Sequence, residues 1–193
     1  MTPRSDGKGK IVIISGPSGV GKSTICRGLL ERLDDACLSI SATTRARGKG
    51  EIDGSDYWFI SEDEFRRRID AGLLLEYAEV FGHLYGTPKD KVAESLQAGK
   101  TVILEIDVQG GRQVKTQYPD AEMIFILPPS QKILAGRLNG RGRDDAAIAE
   151  ERLSGASAEI AAAWQYYTHM VINDDLQQAI DECVKIVESA KYE

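Results

Sequence analysis

The stretch GPSGVGKST, Gly16 to Thr24, lies between the apolar run Ile11 to Ile14 and the helical pattern ICRGLLERL. It fits the spacing G-x-x-x-x-G-K-[ST]. The fixed positions are Gly16, Gly21, Lys22 and Ser23. Glycines let successive backbone N–H groups point inward and form an anion-binding concavity, and the N-terminus of the following helix adds a partial positive charge. The stretch therefore predicts a phosphate-binding loop between a buried strand and a helix.

In such a loop, Lys22 is expected to reach the β- and γ-phosphates of a nucleoside triphosphate. The Ser23 hydroxyl is expected to bind the Mg²⁺ that accompanies the triphosphate. The residues predicted to bind the triphosphate are Gly16, Pro17, Ser18, Gly19, Val20, Gly21, Lys22, Ser23 and Thr24. A flexible loop that only happens to contain glycine and lysine is the alternative, but both flanks favour the phosphate loop.

Length and composition predict one globular, enzyme-sized unit, because 193 residues with 42% hydrophobic content can bury a proper core. The net charge of −6 argues against a nucleic-acid or membrane-surface protein. Cys26, Cys37 and Cys183 are odd in number and widely spaced, which favours reduced thiols that serve in packing. The first ten residues lack an apolar stretch and no window approaches about 18 apolar residues, so we expect a cytoplasmic protein.

Apolar runs alternate with helical patterns along the chain, which predicts a doubly wound α/β fold: a P-loop-type parallel sheet with helices on both faces. The runs predicted as buried parallel strands are 11–14, 101–106, 123–127 and 169–172, with a further strand at Cys37 to Ser41. Helices are predicted after the phosphate loop, near the C-terminus from Leu176, and after Thr87, with Thr87 as N-cap and Pro88 as the first helical residue.

Two segments interrupt the alternation. Residues 43–86 are first Gly-rich and charged and then show strand-like pieces around a helix opened by the capping box Ser61 to Glu64, which predicts an inserted small α+β lobe. Residues 130–154 have helical periodicity broken at NGRGRDD, which predicts an arginine-bearing lid. The core would then comprise 1–42, 87–129 and 155–193, within a single unit of about 8–190.

The sequence TTRARGKGEIDGSDYWF, Thr43 to Phe59, strongly resembles the substrate-binding signature of guanylate kinases. Together with the phosphate loop, LEIDVQG, the arginine lid and INDDL, the resemblance covers nearly the whole chain. It implies transfer of the γ-phosphoryl group of ATP to GMP, and to dGMP, giving ADP and GDP with Mg²⁺. We therefore expect the small-molecule substrates ATP and GMP and, in line with the net charge, neither nucleic acid nor membrane as a partner; no obligate protein partner is evident from the sequence.

The resemblance assigns the phosphate of GMP to Arg45, Tyr57 and Tyr85. A guanidinium fork and phenol hydroxyls are groups that bind a phosphate dianion well. Glu51 matches the family glutamate that orients the phosphate-binding arginines.

One position departs from the family pattern. Most guanylate kinases carry a second phosphate-binding arginine where this chain has Gly48, within RARGKGE. Arg47 or Lys49 could substitute after a small shift of the loop.

The resemblance assigns the guanine base to Glu76, Ser41 and Thr87. Guanine presents N1–H and the 2-amino group as donors and O6 as an acceptor, which suits a carboxylate beside hydroxyl donors. Adenine would leave such buried groups unpaired, and mismatches of this kind can reject an analogue by about 10⁴-fold.

Glu105 and Asp107 are predicted to face the same side of one strand near its carboxyl end. Ligands of open α/β sheets bind outside that end, and P-loop enzymes often hold Mg²⁺ through an acid on a neighbouring strand. By resemblance the two acids lie beside guanine and the water shell of the metal, with Asp107 able to reach Mg²⁺ through water. Their division of roles stays open.

The resemblance also assigns residues outside the phosphate loop to the triphosphate side. Arg137, Arg141 and Arg152 match the lid arginines that stabilise the transferring phosphoryl group, which in such enzymes can be worth about 10³- to 10⁵-fold in rate. Asn173 and Asp174 match the segment near the adenine of ATP, although an Asn-Asp pair is also ordinary turn chemistry.

Two other functions fit parts of the same pattern. Guanylate-kinase-like domains in scaffold proteins have lost catalysis and bind peptides, but they usually lack the complete phosphate loop and lid that this chain keeps. A ribose bisphosphate kinase could share the core, but Glu76, Thr87, Tyr57 and Tyr85 favour GMP over either alternative.

Overall fold

The computed structural model of the chain describes residues 9–139 and 146–189, with side chains described outside 138–154. The strands are Lys10–Ser15 (β1), Ala36–Leu38 (β2), Ala42–Thr43 (β3), Trp58–Phe59 (β4), Leu74–Val80 (β5), His83–Pro88 (β6), Thr101–Glu105 (β7), Glu122–Leu127 (β8) and His169–Ile172 (β9). The helices are Lys22–Arg32 (α1), Glu62–Asp70 (α2), Lys89–Gln97 (α3), Val108–Gln117 (α4), Gln131–Asn139 (α5), Ala146–Tyr166 (α6) and Leu176–Ser189 (α7).

The main sheet has five strands in the order β2-β7-β1-β8-β9, and the pairs are all parallel. All six residues of the central strand β1 are buried. Because successive side chains point to opposite faces, Val12 and Ile14 join a core with α1 and α7, whereas Ile11 and Ile13 join a core with α3 and α4. Helices thus cover both faces, and the predicted α/β class is confirmed.

A second sheet has the order β4-β3-β6-β5 and contains a hairpin between β5 and β6. The hairpin turns at Phe81 and Gly82, both with positive φ. Helix α2 begins after Ser61, whose hydroxyl accepts a hydrogen bond from the Glu64 N–H at 3.2 Å, which is one half of the predicted capping box. The Glu64 carboxylate accepts from Arg67 and Arg68. Residues 43–86 contain β4, α2 and β5, and the second sheet extends beyond them to Ala42 and Pro88. That 43–86 forms a separate lobe stays a prediction.

The predicted start of α3 is wrong. Thr87 lies in β6 and does not cap the helix, and Pro88 is the N-cap residue rather than the first helical residue. The reason is that sheet pairing continues to the end of β6, where Leu74 is the partner of Pro88 and the Lys89 N–H donates to Leu73 O at 2.9 Å.

Three details of the main sheet also differ from the prediction. Strand β2 ends at Leu38 rather than Ser41, because the chain crosses to the second sheet, where Ser41 O accepts from the Trp58 N–H. Strand β9 is an edge strand, and Ile172 in it is 56% exposed, so this run is not buried on both faces. Strand β7 ends at Glu105, so Asp107 does not share the strand and is instead the N-cap of α4.

Within 9–139 and 146–189, we find no helix of sufficient length and apolarity to cross a membrane.

Candidate active site

A cleft of about 290 Å³ lies at the carboxyl ends of β1 and β7, between the phosphate loop and the second sheet. The sequence-predicted residues that line it are Gly16, Ser18, Gly19, Gly21, Lys22, Ser23, Ser41, Tyr57, Glu76, Tyr85, Glu105 and Asp107. Residues predicted separately for the triphosphate and for the monophosphate therefore share one cavity. This is the edge of an open α/β sheet where ligands bind.

The glycines of the loop are required by close approach as well as by backbone angle. A Cβ on Gly16, at φ +151°, would lie 2.5 Å from Ile126 O. A Cβ on Gly21, at φ +107°, would lie 2.5 Å from Asn173 Nδ2. Any other residue would strain the backbone and push the loop away from the sheet.

The polar side chains of the loop are already held in place. Lys22 Nζ donates to Gly16 O at 2.5 Å and to Pro17 O at 3.1 Å, so the ammonium lies across the mouth of the loop. The Ser23 hydroxyl donates to Glu105 Oε1 at 2.7 Å, which joins the start of α1 to the end of β7. Two oxygen groups suited to a hard cation are thereby brought together.

Asn173 and Arg137 hold the outer side of the phosphate loop. Asn173 Nδ2 donates to Val20 O at 2.8 Å, and its side chain is buried. The Arg137 guanidinium donates to Val20 O at 3.2 Å and to Asn173 O at 3.0 Å. Both residues line a second, more open cavity with Asp174 and Thr24, beside the loop rather than in the main cleft. In this arrangement Arg137 does not face the cleft.

Arg45 is held as a charged, oriented guanidinium beside the cleft. Its two terminal nitrogens donate to the Glu51 carboxylate at 3.0 and 2.7 Å, and its guanidinium lies 5.5 Å from the Tyr57 ring centroid and 5.7 Å from that of Phe59. The hydrogen bonds to Glu51 raise the pKa of Arg45. Burial raises the pKa of Tyr57 to about 12, so its hydroxyl stays protonated and can donate. The Tyr57 and Tyr85 rings pack edge to face with centroids 5.9 Å apart.

Contacts with Glu51 explain why this chain can have glycine at position 48. Its N–H donates to Glu51 Oε2 at 2.6 Å, and a Cβ there would lie 2.9 Å from the same oxygen. The carboxylate that orients Arg45 thus occupies the space where a side chain at position 48 would begin. Arg47 and Lys49 are exposed, and neither has a hydrogen bond or ion pair with another described residue.

Glu76 is an ionisable group buried in the wall of the cleft, only 3% exposed. Burial, the largest cause, and the nearby Asp107 carboxylate raise its pKa to about 7, while the hydrogen bond from Thr87 opposes the shift. The Thr87 hydroxyl donates to Glu76 Oε1 at 2.6 Å. Thr87 does not line the cleft; it lies behind Glu76 and orients it.

Asp107 begins helix α4, and its Oδ1 accepts from the Gly110 N–H at 2.8 Å. Glu105 is the last residue of strand β7. The next residue, Ile106, is fixed to β1, because its carbonyl oxygen accepts a hydrogen bond from the Ser15 hydroxyl at 2.7 Å. The two acids therefore come from a strand end and from a helix cap, and both still line the same cleft.

Sequence reasoning missed several lining residues: Ala78, Val80, Phe81, Ile106 and Glu159. Of these residues only Glu159, on α6, is ionisable. Burial, the largest cause, raises the pKa of its carboxyl, and nearby Lys22 opposes this shift. The only sequence signal was an acid inside the alanine-rich run ASAEIAAAW. Phe81 could not be found from hydropathy, because it lies at a hairpin turn with φ of 50° and is 45% exposed.

Arg141 lies outside the described residues, and the side chain of Arg152 does as well, although its backbone belongs to α6. Their predicted position over the phosphoryl group stays a prediction.

A parallel sheet with a glycine-rich loop and lysine at the end of its central strand, facing a second sheet with buried polar groups, defines a P-loop nucleotide-binding protein. Comparison with known proteins narrows this class. The guanylate kinase family model matches residues 8–190. The chain is 48% identical to a guanylate kinase of Synechocystis sp. over 180 residues, 93% of this chain and 94% of that protein. It is 47% identical to a guanylate kinase of Alcanivorax borkumensis over 184 residues, 95% of this chain and 88% of that protein.

A crystal structure of a guanylate kinase from Anaplasma phagocytophilum is similar to the whole fold. It has a TM-score of 0.81 at 33% identity, covering 96% of this chain and 88% of that chain. The chain belongs to the guanylate kinase family, as the sequence resemblance predicted.

Proposed function

We propose that the chain transfers the γ-phosphoryl group of ATP to GMP, and to dGMP, giving ADP and GDP or dGDP. The family to which it belongs supports an ATP:GMP phosphotransferase over a silent binding module or a ribose bisphosphate kinase. The observation that carries the proposal is the single cleft in which the buried carboxylate of Glu76 faces the phosphate loop and Lys22.

The phosphate of GMP would bind to Arg45 and to the hydroxyls of Tyr57 and Tyr85. Glu51 holds the Arg45 guanidinium through two of its nitrogens, so little side-chain entropy remains to be lost on binding. A protonated phenol and a permanently charged guanidinium donate hydrogen bonds to a dianion. Arg47 or Lys49, which have no partner among the described residues, would supply a further cation from the same loop.

The base would bind to the ionised carboxylate of Glu76, which accepts from guanine N1–H and the 2-amino group, beside Ser41. Thr87 donates to the other Glu76 oxygen, so its contribution would be to fix the direction of the carboxylate rather than to contact O6. AMP lacks both of the donors that Glu76 requires, and a buried acceptor left unpaired weakens binding.

The triphosphate would bind to the backbone of the phosphate loop, with Lys22 moving from the Gly16 and Pro17 carbonyls to the β- and γ-phosphates. The oxygen donors Ser23, Glu105 and Asp107 fit Mg²⁺, which binds few protein oxygens and keeps several waters. Bound Mg²⁺ would neutralise charge on the phosphates. Among the described residues, no cluster of three or more His, Cys, Asp or Glu side chains could hold a metal by itself.

Transfer itself needs alignment and charge stabilisation rather than a covalent intermediate. The segment 43–86 would bring GMP in line with the γ-phosphate, and 130–154 would close over it with Arg137, Arg141 and Arg152. Since Arg137 now contacts the outer side of the loop, its action would require the lid to move. Closure would also exclude water that could hydrolyse ATP. We place this activity in the cytoplasm.

A coupled assay of ADP formation with ATP, Mg²⁺ and each of GMP, AMP, CMP and UMP tests the proposal. We expect turnover with GMP at least about 100-fold above that with the other three, given the discrimination that buried polar contacts provide. ADP formation without any monophosphate measures background hydrolysis. Equal rates with all four would reject the guanine pocket, and no GMP-dependent ADP would reject the function.

A further inference from the structure

The first turn of α4 packs directly against the buried wall of the cleft through a glycine. A Cβ on Gly110 would lie 2.4 Å from Glu76 Oε2 and 3.0 Å from Glu76 Cδ. Real Cβ atoms do not approach other atoms this closely, so the Glu76 carboxylate occupies the space that a side chain at position 110 would need.

The Glu76 side chain cannot move out of that space without losing other contacts. Its second oxygen, Oε1, accepts from the Thr87 hydroxyl at 2.6 Å, and its side chain is 3% exposed. The carboxylate is therefore clamped between a hydroxyl from β6 on one side and a bare backbone on the other. Displacing it by a fraction of an ångström would break the hydrogen bond or turn the carboxylate into the cleft.

We propose that Gly110 is a specificity-determining position of this enzyme: the absence of a side chain there creates the recess that aims the Glu76 carboxylate at the base of the monophosphate. The inference rests on the proposed function. Gly110 would touch no substrate and is a positioning residue that acts through Glu76.

The substitution Gly110→Ala tests this effect, because the added Cβ would lie 2.4 Å from Glu76 Oε2 and approach Asp107 Oδ1 only to 3.3 Å. Alanine keeps the N–H that donates to Asp107 Oδ1 at 2.8 Å, so the helix cap is preserved. Alanine also has the higher helix propensity, so any loss comes from the added methyl group rather than from a weakened helix.

The neighbouring glycine is a matched control. A Cβ on Gly111 would lie 2.4 Å from the Tyr167 hydroxyl oxygen, and that hydroxyl donates to Ser15 Oγ at 2.6 Å. Gly111→Ala therefore introduces a similar clash in the same helical turn, but against the strand end before the phosphate loop rather than against Glu76.

The readout is the preference for GMP over IMP, which lacks the 2-amino group. We expect Gly110→Ala to raise the KM for GMP by about 10- to 100-fold, the range for misplacing a hydrogen bond to a charged group, with the KM for ATP within about twofold. The GMP-to-IMP preference should fall with it, because only GMP offers both donors. Gly111→Ala should leave that preference unchanged.

The pH profile of kcat/KM for GMP gives a second readout that a purely structural defect would not move. The group facing Glu76 that ionises is Asp107 at the start of α4, and Thr87 faces it from β6. Other ionisable groups lining the cleft are Lys22, Tyr57, Tyr85, Glu105 and Glu159. A Glu76 carboxylate pushed out of its recess is better hydrated, so its pKa should fall and the acid limb of the profile should move to lower pH.

A double-mutant cycle with Glu76→Ala completes the test. Without the Glu76 carboxylate, the nearest remaining atom is Asp107 Oδ1, 3.3 Å from the added Cβ, so Gly110→Ala should add little further loss of kcat/KM for GMP in that background. The double variant should also fold as well as Glu76→Ala alone by urea unfolding, even if Gly110→Ala by itself folds poorly. Three results would each overturn the inference. They are an unchanged GMP-to-IMP preference in Gly110→Ala, an equal loss of that preference in Gly111→Ala, and additive effects of Gly110→Ala and Glu76→Ala on kcat/KM in the cycle. Wild-type protein without GMP-dependent turnover would instead overturn the proposed function.

Discussion

Lowering the pH from 8 to 6 should weaken GMP binding by about tenfold, because it protonates Glu76. Burial of this side chain raises its pKa from the ordinary value of 4.5 to about 7. Only the ionised carboxylate can accept hydrogen bonds from both guanine donors. With a pKa of about 7, roughly nine tenths of Glu76 is ionised at pH 8 and roughly one tenth at pH 6.

The phosphate of GMP also titrates, with a second pKa near 6, and its protonation weakens binding to Arg45. Glu76→Gln separates the two effects. The variant keeps the dependence that comes from the ligand phosphate but has no carboxyl to titrate, so its KM should change less over the same pH range. The ratio of the wild-type change to the variant change reports Glu76 alone.

Steady-state kinetics of GDP formation at saturating ATP, at intervals from pH 5.5 to 8.5, would measure both profiles. The KM for ATP, measured in parallel, should not show the Glu76 step, since Glu76 lies in the wall opposite the phosphate loop. The same pH dependence of the KM for GMP in wild type and Glu76→Gln would show that Glu76 does not titrate in GMP binding.

Four further outcomes are expected. Lys22→Ala should abolish turnover while GMP still binds by calorimetry, and measurable turnover would contradict its role. Arg47→Ala should raise the KM for GMP severalfold and leave that for ATP almost unchanged, because this guanidinium has no partner within the described residues; unchanged GMP kinetics would reject it. Glu51→Gln should raise the KM for GMP by about tenfold, since Arg45 loses its charged clamp; an unaltered value would show that Arg45 is oriented by other groups. Glu76→Gln should increase the free energy of unfolding at pH 8 by about 3 kcal/mol. A carboxyl with a raised pKa stabilises the fold fully below pH 4.5 and loses this contribution as the pH rises through about 7, so only the wild type has lost it at pH 8. Urea unfolding at pH 4.5 and 8 tests this, and an equal effect of the substitution at both pH values would refute it.

The phosphate loop and the strands around it could be predicted from the sequence because their signals are local. The spacing from Gly16 to Ser23 and the apolar run of β1 each depend on neighbouring residues only. Capping of α2 by Ser61 is local as well. Such patterns report backbone geometry directly, and here the structure agrees with them.

The pairing of Glu76 with Thr87 could not be predicted, because it depends on the register between two strands. The ladder of β5 and β6 shifts between Leu74 and Glu76, so Leu75 and Glu76 are both buried in succession and the alternation of faces is interrupted. Because the sequence does not reveal this register, Thr87 before Pro88 was predicted as a helix N-cap rather than as a strand residue that contacts Glu76. The resemblance marked Glu76 as a base contact, but only the three-dimensional structure explains what orients it.

The charged side chains that line the cleft are mostly acidic. Among the described residues, Lys22 is the one cationic side chain lining the cleft, whereas the carboxylates of Glu76, Glu105, Asp107 and Glu159 line it as well. Both proposed substrates are polyanions, so these walls repel them unless cations arrive with or around the phosphates. The buried carboxylate of Glu76, which we propose selects the base, adds to this repulsion, and burial raises its pKa to about 7 because the charged form is desolvated. In the proposed function, selection of the base and attraction of the phosphates are therefore carried by different groups. Beyond Lys22 and the nearby Arg45, we expect neutralisation to require the lid arginines and the metal that accompanies ATP.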